Sequence, residues 1–335
     1  MIKIKTLIIG AGAGGVSAAA WLKHYGEQFM VFDAAKELPL NLHNGVHYLH
    51  SIPDLPFQTD IKKITLTDGI LAKGKVYTQP SLIFALQYSE KVREIQHPSS
   101  IMNIGKDNFV YMPATNSVNT ILEEAYEYAG KINFNFGWWL KKIDINNHIA
   151  KFEQNGAVEE IEYENIISTV PLDKFKEFVN IPEKIELKYS PVHITNYKVE
   201  KIVPNWMINL YIPELDTPIY RASILNGICS VESIKELNEH EIHKATDTLN
   251  MFHLTCDNVQ NFTWNTGKVI SISQDERVEV VELFNKCNIY SIGRFGLWNR
   301  KLLIDSTMKQ AKQVVDYITN NKVHNWEETR DVLTN

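Results

Sequence analysis

Cysteine is scarce in this chain: Cys229, Cys256 and Cys287 are the only three in 335 residues, far apart and without a C-x-x-C pair. That excludes a disulfide scaffold and a cysteine-based zinc site, and it fits a reducing compartment; a cytoplasmic protein is expected. Long apolar runs are missing too, since none approaches the roughly 18 residues of a membrane span. "MIKIK" leads straight into the first apolar run, which is too short for the core of a signal peptide. Positive charge is not in excess. Lys and Arg number 34 against 40 Asp and Glu, a net charge of −6. This leaves no electrostatic footprint for nucleic acid or an anionic membrane, though it does not exclude a small local basic site. No internal repeat, Ser-His-Asp spacing, paired-acid constellation or Walker loop is present. "HEIH" at 240–243 is not the H-E-x-x-H of zinc proteases and reads as a solvated helix face. No metal site is expected.

What remains is an ordinary globular composition, 44% hydrophobic and 22% charged, in a chain long enough for two domains. The most informative stretch is "LIIGAGAGGVSAAAWLKHYGEQFMVFDA", Leu7 to Ala34. "TLIIG" reads as a buried parallel strand that stops at glycine. "GGVSAAAWLKHYG" has Val16, Ala19, Ala20 and Leu22 at helical spacing, and "QFMVFD" is a second strand ending in Asp33. Gly10, Gly12 and Gly15 stand at G-x-G-x-x-G between strand and helix, with Asp33 18 residues after Gly15. This is the setting in which that motif binds a dinucleotide. Gly10 permits the tight turn, Gly12 lets a pyrophosphate approach the backbone, and Gly15 lets helix and strand pack closely. The helix N-terminus offers unpaired N–H groups to phosphate, and Asp33 can accept from a ribose diol.

After Asp33 the pattern changes. "KELPLNLHNGVHYLHSIPDLPF" reads as loop. Residues 79–95 and 116–129 have helical periodicity, the second with Asn116 or Ser117 as its cap. Residues 131–147 look like a strand or two, and 148–167 like a hairpin turning at Asn155-Gly156 and leading into the buried strand "NIISTV". Residues 186–225 alternate and are aromatic-rich, which suggests a more antiparallel sheet. "NIYSIG" is again a buried strand, and "IDSTMKQAKQVVDYI" an amphipathic helix with Ile304, Met308, Ala311, Val315 and Ile318 on one face. The expected fold is therefore α/β. A discontinuous Rossmann-like domain (1–50, 130–185 and 285–335) is interrupted by an α+β substrate domain (51–129 and 186–284).

Five stretches together resemble the FAD-dependent amine oxidase, protoporphyrinogen oxidase and UDP-galactopyranose mutase superfamily. They are the opening fingerprint with Asp33; "GVHYLHS" (45–51), similar to the G-x-H-x-x-H stretch that mutases place beside the flavin; "IISTVPL" (166–172); "NWMINLYIPELDTPIYRAS" (205–223); and "IYSIGRFGLWNRKLLIDSTMKQA" (289–311). Three departures stand beside them. The Gly pair that usually follows the ribose acid is missing, that acid is Asp where Glu is commoner, and Trp298, Asn299 and Arg300 replace the mutases' paired tyrosines. The resemblance implies FAD as cofactor, held by Gly10, Ala11, Gly12, Ala13, Gly14, Gly15 and Asp33. It places Leu140 at the adenine, Thr169, Val170 and Pro171 near the ribityl chain, and Gly293, Arg294 and Asp305 at the closing segment. It puts His47 on the flavin, although a satisfied loop histidine is equally compatible. Arg221 is either the grip on an anionic group of a small-molecule substrate or half of an ordinary ion pair. Trp298 either walls the substrate cavity or belongs to interdomain core. The implied activity is hydride transfer from a C–N or C–C bond to flavin N5. Mutase-like isomerisation and redox-silent flavin binding are the alternatives, and an NAD-only dehydrogenase is disfavoured by the C-terminal return to the nucleotide fold.

Overall fold

A computed structural model describes residues 1–40, 45–92, 100–106, 108–179, 184–200, 204–319 and 325–335. The opening unit is strand β1 (Ile2–Ile9), helix α1 (Ala13–His24) and strand β2 (Phe29–Asp33). β1 pairs in parallel with β2 on one side and with β9 (Ala157–Ser168) on the other. β6 (Phe134–Phe136) extends the sheet beyond β2. On the far side, β8 (Ile149–Gln154) and β7 (Trp139–Asp144) add an antiparallel meander to the first half of β9. The second half of β9 takes the short parallel strand β15 (Ile289–Ser291). The expected hairpin turns at Asn155 and Gly156, both at positive φ (50° and 84°).

α1 is buried along one uninterrupted stretch, Gly14 to Leu22, because it is covered on several sides. The sheet lies beneath it, and α3 (Asn119–Ala129) and α8 (Ile304–Thr319) flank it. Ala18 and Ala19 meet Ile121, Leu122, Met308, Ala311 and Val315 in one core, where small α1 side chains let the helices approach. The opposite face of this sheet packs Phe32, Phe152 and Ile166 against α4 (Leu172–Phe175) and α6 (Gln274–Asn285).

The second sheet runs β14 (Leu254–Ile270), β10 (Lys188–Val199), β13 (Ile228–Ser233), β12 (Ile219–Leu225), β11 (Trp206–Tyr211), β3 (Ile61–Ala72) and β4 (Lys75–Tyr77). β5 (Phe109–Pro113) pairs the other end of β3. It is antiparallel except for β11 on β3. Helix α5 (Glu239–Thr248), started by an Asn238–Glu241 capping box, covers its back. Helix α2 (Leu82–Lys91) closes one end, with Ala85 and Tyr88 buried against Ile70, Tyr211 and Tyr220. The short α7 (Gly293–Gly296) and the last helix α9 (Trp326–Thr334) return to the first sheet.

Two expectations change. α3 begins at Asn119 with no side-chain cap, because Asn116 sits in a left-handed turn (φ 64°) ahead of it. α3 and α6 also pack on the first sheet, although the sequence reading put their residues in the substrate domain. Apolar periodicity shows that a helix has a buried face, not which sheet receives it.

Candidate functional site

The carboxyl ends of three parallel strands converge, the usual ligand position in such sheets. β1 is followed by Gly10, β9 by Thr169, and β15, after Ile292, by Gly293. The Thr169 N–H donates to Ile9 O at 2.9 Å, and the Ile292 N–H to Ser168 O at 2.9 Å, so the three ends lie side by side. Gly10 has φ +101°, and a Cβ there would lie 2.0 Å from Thr169 Oγ1. A Cβ on Gly15 would lie 1.9 Å from Gly10 O, so the turn closes only without it. Gly14 is packed against Ile292 and Thr307. Gly12 differs: a Cβ there would meet nothing within 4 Å. Between two crowded glycines the chain leaves open space above the N-terminus of α1.

Asp33 stands at the edge of that space. Its Oδ2 accepts the Ala11 N–H at 2.5 Å and its Oδ1 the Ala35 N–H at 2.7 Å, so the carboxylate braces the turn. Carboxylate oxygens have further lone pairs for a diol. Ala13 opens α1 at the same spot. The backbone of 137–138 runs alongside, with Trp138 N–H donating to Asp33 O at 3.0 Å. Leu140 is two residues further, on β7, and its half-buried side chain packs into the core of the outer sheet face. Val170 and Pro171 are half-buried beside Thr169.

The closing segment reaches the same place. The Thr307 methyl group abuts both Gly14 and Gly293, which brings the first turn of α8 against the glycine turn. Asp305 in that turn is 7% exposed. Its Oδ2 accepts from the Ser51 N–H (2.9 Å) and Oγ (2.7 Å), while its buried Oδ1 has no donor among the described residues. A buried carboxylate oxygen without a donor is costly, and a hydroxyl-bearing ligand would relieve it. The open space over Gly12, the carboxylate of Asp33 and this waiting acceptor fit an extended dinucleotide.

The loop 45–51 links this turn to the second sheet. Leu49 is fully buried and exchanges backbone hydrogen bonds with Tyr111 on β5, while Ser51 is tied to α8. His47 and His50 diverge. The His47 ring lies nearly parallel to Trp264, with centroids 5.9 Å apart, and His50 lies 5.0 Å from the Tyr48 ring.

The face of the second sheet that looks toward this loop carries a polar patch. Along β12, Arg221, Ser223 and Leu225 share a face by alternation, and Leu225 joins the core around α1. Pairing sets Asp68 (β3) beside Asn209 (β11) and Asn209 beside Ser223 (β12); Ser230 (β13) and Asn196 (β10) continue the line. Ser223 Oγ donates to Asn209 (2.9 Å), Asn209 Nδ2 to Asp68 (3.0 Å) and Ser230 Oγ to Asn196 (2.6 Å). One step along, Arg221 forks onto Glu232, with Nε at 2.9 Å, and Tyr220 Oη donates to the other Glu232 oxygen at 2.5 Å. Burial pushes the Glu232 carboxyl up, but Arg221 and Lys268 outweigh it and hold the group below its ordinary range. Burial likewise opposes the charge on Arg221, and Glu232 more than restores it. The pair is ionised inside the molecule.

The Arg221 side chain nonetheless keeps 31% of its surface exposed. Tyr48 sits within electrostatic reach of Arg221, Asp68 and Glu232, and burial keeps its phenol protonated. Arg294 approaches from the opposite side. Its Nε donates to Leu302 O at 3.0 Å, and its terminal nitrogens have no acceptor among the described residues. Burial and the nearby Arg221 both press its pKa down. Two guanidiniums thus lie within electrostatic reach of each other and of Glu232.

Of the two places expected for it, Trp298 takes the core and not the wall of a substrate site. It is fully buried in the core of the first sheet's outer face, with its indole N–H donating to Lys188 O at 3.0 Å. It cannot touch a substrate there; its positive φ (48°) turns it inward after the glycine-rich segment. Glu232, Tyr48 and the Asp68–Asn209–Ser223 line stand in no local sequence motif that marks them as site residues. Their strands showed alternation, but only the pairing register makes them neighbours.

No family model and no curated protein matches the sequence. Solved structures do resemble the fold. Reduced UDP-galactopyranose mutase superposes with a TM-score of 0.72 at 16% identity, over 98% of this chain and 96% of that one. A fatty acid isomerase from P. acnes gives 0.64 at 12% identity, over 94% and 99%. The myxobacterial chondrochloren halogenase, a FAD-dependent enzyme, gives 0.56 at 10% identity, over 99% and 78%. The chain therefore shares the α/β fold of these solved structures.

Proposed function

We propose that this chain is a FAD-dependent oxidoreductase that acts on a small anionic molecule held between the two sheets. The observation that carries the cofactor is the open space over Gly12, flanked by Asp33 and by the donor-less Oδ1 of Asp305. The backbone N–H groups that start α1 would face the pyrophosphate, Asp33 the ribose, and Thr169 to Pro171, Gly293 and Asp305 the remainder of the group. Leu140 would approach the adenine through the strand beside Asp33. Bound FAD supplies the chemistry, accepting a hydride at N5 when oxidised or acting as a nucleophile when reduced.

The residues around Arg221 bind and orient. Arg221 and Arg294 together offer more positive charge than Glu232 cancels, so an anionic substrate group is favoured there. Tyr48, kept protonated, is a hydrogen-bond donor. Glu232 stays ionised and fixes the Arg221 fork, which leaves it a positioning role. His47, stacked on Trp264, lines the loop side.

A second reading is a flavin-dependent isomerisation without net oxidation. It is favoured by the near-complete mutual coverage with the mutase and by "GVHYLH" at the junction of the two sheets. The visible spectrum of the purified protein tests the cofactor, since a colourless protein that binds no added FAD would refute both readings. Oxygen consumption with candidate amines, set against sugar isomerisation under dithionite, separates them.

A further inference from the structure

The outer side of α2 is unlike the rest of the surface. Its sequence begins "LIFAL", five consecutive apolar residues. The inner positions, Ala85 and then Tyr88, pack against Tyr211 and Tyr220. The outer positions are bare: Leu82 is 59% exposed, Ile83 71% and Leu86 59%. A run of exposed apolar side chains on one helical turn is not the usual scattered surface leucine. The neighbouring edge strand β4 continues it with Val76 (40%) and Tyr77 (39%), and the Tyr77 ring lies 5.4 Å from Phe84 on α2.

The charges beside this corner are basic, in a chain that is acidic overall. Lys73 and Lys75 lead into β4, and both are exposed. Gly105 approaches Thr78 O, which brings exposed Lys106 to the same edge. Among the described residues the acids nearby are Glu214, bound to the Lys73 N–H, Glu90, at the far end of α2, and Asp216, within electrostatic reach of Lys91 there. Five apolar side chains are far fewer than the roughly 20–30 residues that a stable protein interface engages on each side. Exposed leucine and isoleucine with a tyrosine, flanked by lysines, match an interfacial membrane contact, in which apolar groups enter the acyl boundary and lysines meet anionic headgroups.

We infer that the α2–β4 corner docks the protein on an anionic lipid surface. The chain would lie on the bilayer without crossing it, in keeping with the absence, among the described residues, of any helix long and apolar enough to span one. Because the inner side of α2 packs on Tyr220, which donates to Glu232, the docked face and the proposed substrate site share one helix. The inference goes beyond the flavin reading and does not depend on it.

Sedimentation with vesicles tests it on the full chain. Neutral phosphatidylcholine vesicles and vesicles containing phosphatidylglycerol are compared at low and high salt. The protein should cosediment with the anionic vesicles, more weakly as salt rises. L82S/I83S/L86S should lower the partition constant at least about tenfold, as should K73Q/K75Q/K106Q. Circular dichroism and the content of any bound flavin should be unchanged, since these side chains are exposed. Failure to bind either vesicle overturns the inference, and so does binding that the serine variant leaves intact. A concentration-dependent dimer that the serine variant abolishes, without vesicle binding, would overturn it in favour of a second copy of the chain.

Discussion

At the scale of single residues, the glycine turn separates space for a ligand from space for the fold. Gly12→Asp places a charged side chain where nothing stands within 4 Å, in extended backbone (φ −71°, ψ −173°) that any residue can adopt. The variant should fold, with unchanged thermal unfolding, yet its FAD affinity should fall at least about tenfold, or about 1.4 kcal/mol. Gly15→Ala does the reverse. Its Cβ meets Gly10 O, so the fold should lose about 1–3 kcal/mol, read from denaturant midpoints. If Gly12→Asp retains full flavin, the pyrophosphate does not lie there.

Arg221 is a residue-scale case of a different kind. Arg221→Ala should raise the apparent KM with flavin content unchanged, by the equivalent of roughly 1.5–3 kcal/mol for one charge-assisted contact. The side chain is 31% exposed, which screens the interaction and favours the lower end. Glu232 would also lose its partner, so stability should fall alongside. Arg221→Lys keeps the charge without the fork and should lie between. Steady-state kinetics beside a melting curve would separate the two effects.

At the scale of elements, a buried cation holds α2 in place. Lys91 is 6% exposed, and its Nζ donates to Ile212 O (2.8 Å) and Ile219 O (2.7 Å), pinning the C-terminus of α2 to the ends of β11 and β12. Burial lowers its pKa from 10.5 to about 8, against the opposing pull of Glu214 and Asp216. Between those values the unfolded chain binds a proton that the folded chain does not, so stability contributed here rises with pH across that window. The rise is on the order of 3 kcal/mol in total, and Lys91→Met should abolish it. Urea midpoints at pH 8 and pH 10 for both proteins give the measurement; parallel curves would show that Lys91 titrates normally.

The elements also show how far the sequence could be read. Strand, turn and helix at 2–33 follow from residues that are neighbours in the chain, and the apolar face of α8 followed from a 3.6-residue period. The start of α3 did not, because Asn116 has the chemistry of a cap but takes a left-handed turn conformation instead. Of the candidate site, the glycines and Asp33 stand in a local motif that the sequence displays, and Asp305 in the closing segment that carries the resemblance. Glu232 was not, because its partner Arg221 reaches it across two strands whose register the sequence does not display.

At the scale of the whole molecule, the loop 45–51 is the joint. It is fastened to the second sheet by the Leu49–Tyr111 bonds and to the first by Ser51–Asp305. Asp305→Ala removes the second fastening and the acceptor beside the glycine turn together. Chymotryptic cleavage at Tyr48 or Leu49 should then accelerate, and FAD affinity should drop, while Asp305→Asn should recover part of both. Unchanged cleavage would mean that the loop is held by Leu49 alone.

The sequence by itself determined the glycine turn, the alternation of strand and helix around it and the return of the chain to it near residue 289. These depend on residue type at short spacing, where backbone geometry leaves few choices. Tertiary structure decided the rest. Strand pairing set Arg221 against Glu232 and Asn209 against Asp68. Packing took Trp298 into the core, and it left Leu82, Ile83 and Leu86 in solvent although they are as apolar as the buried residues beside them. Burial depends on what the remainder of the chain brings to a surface, and residues dozens of positions away supply that.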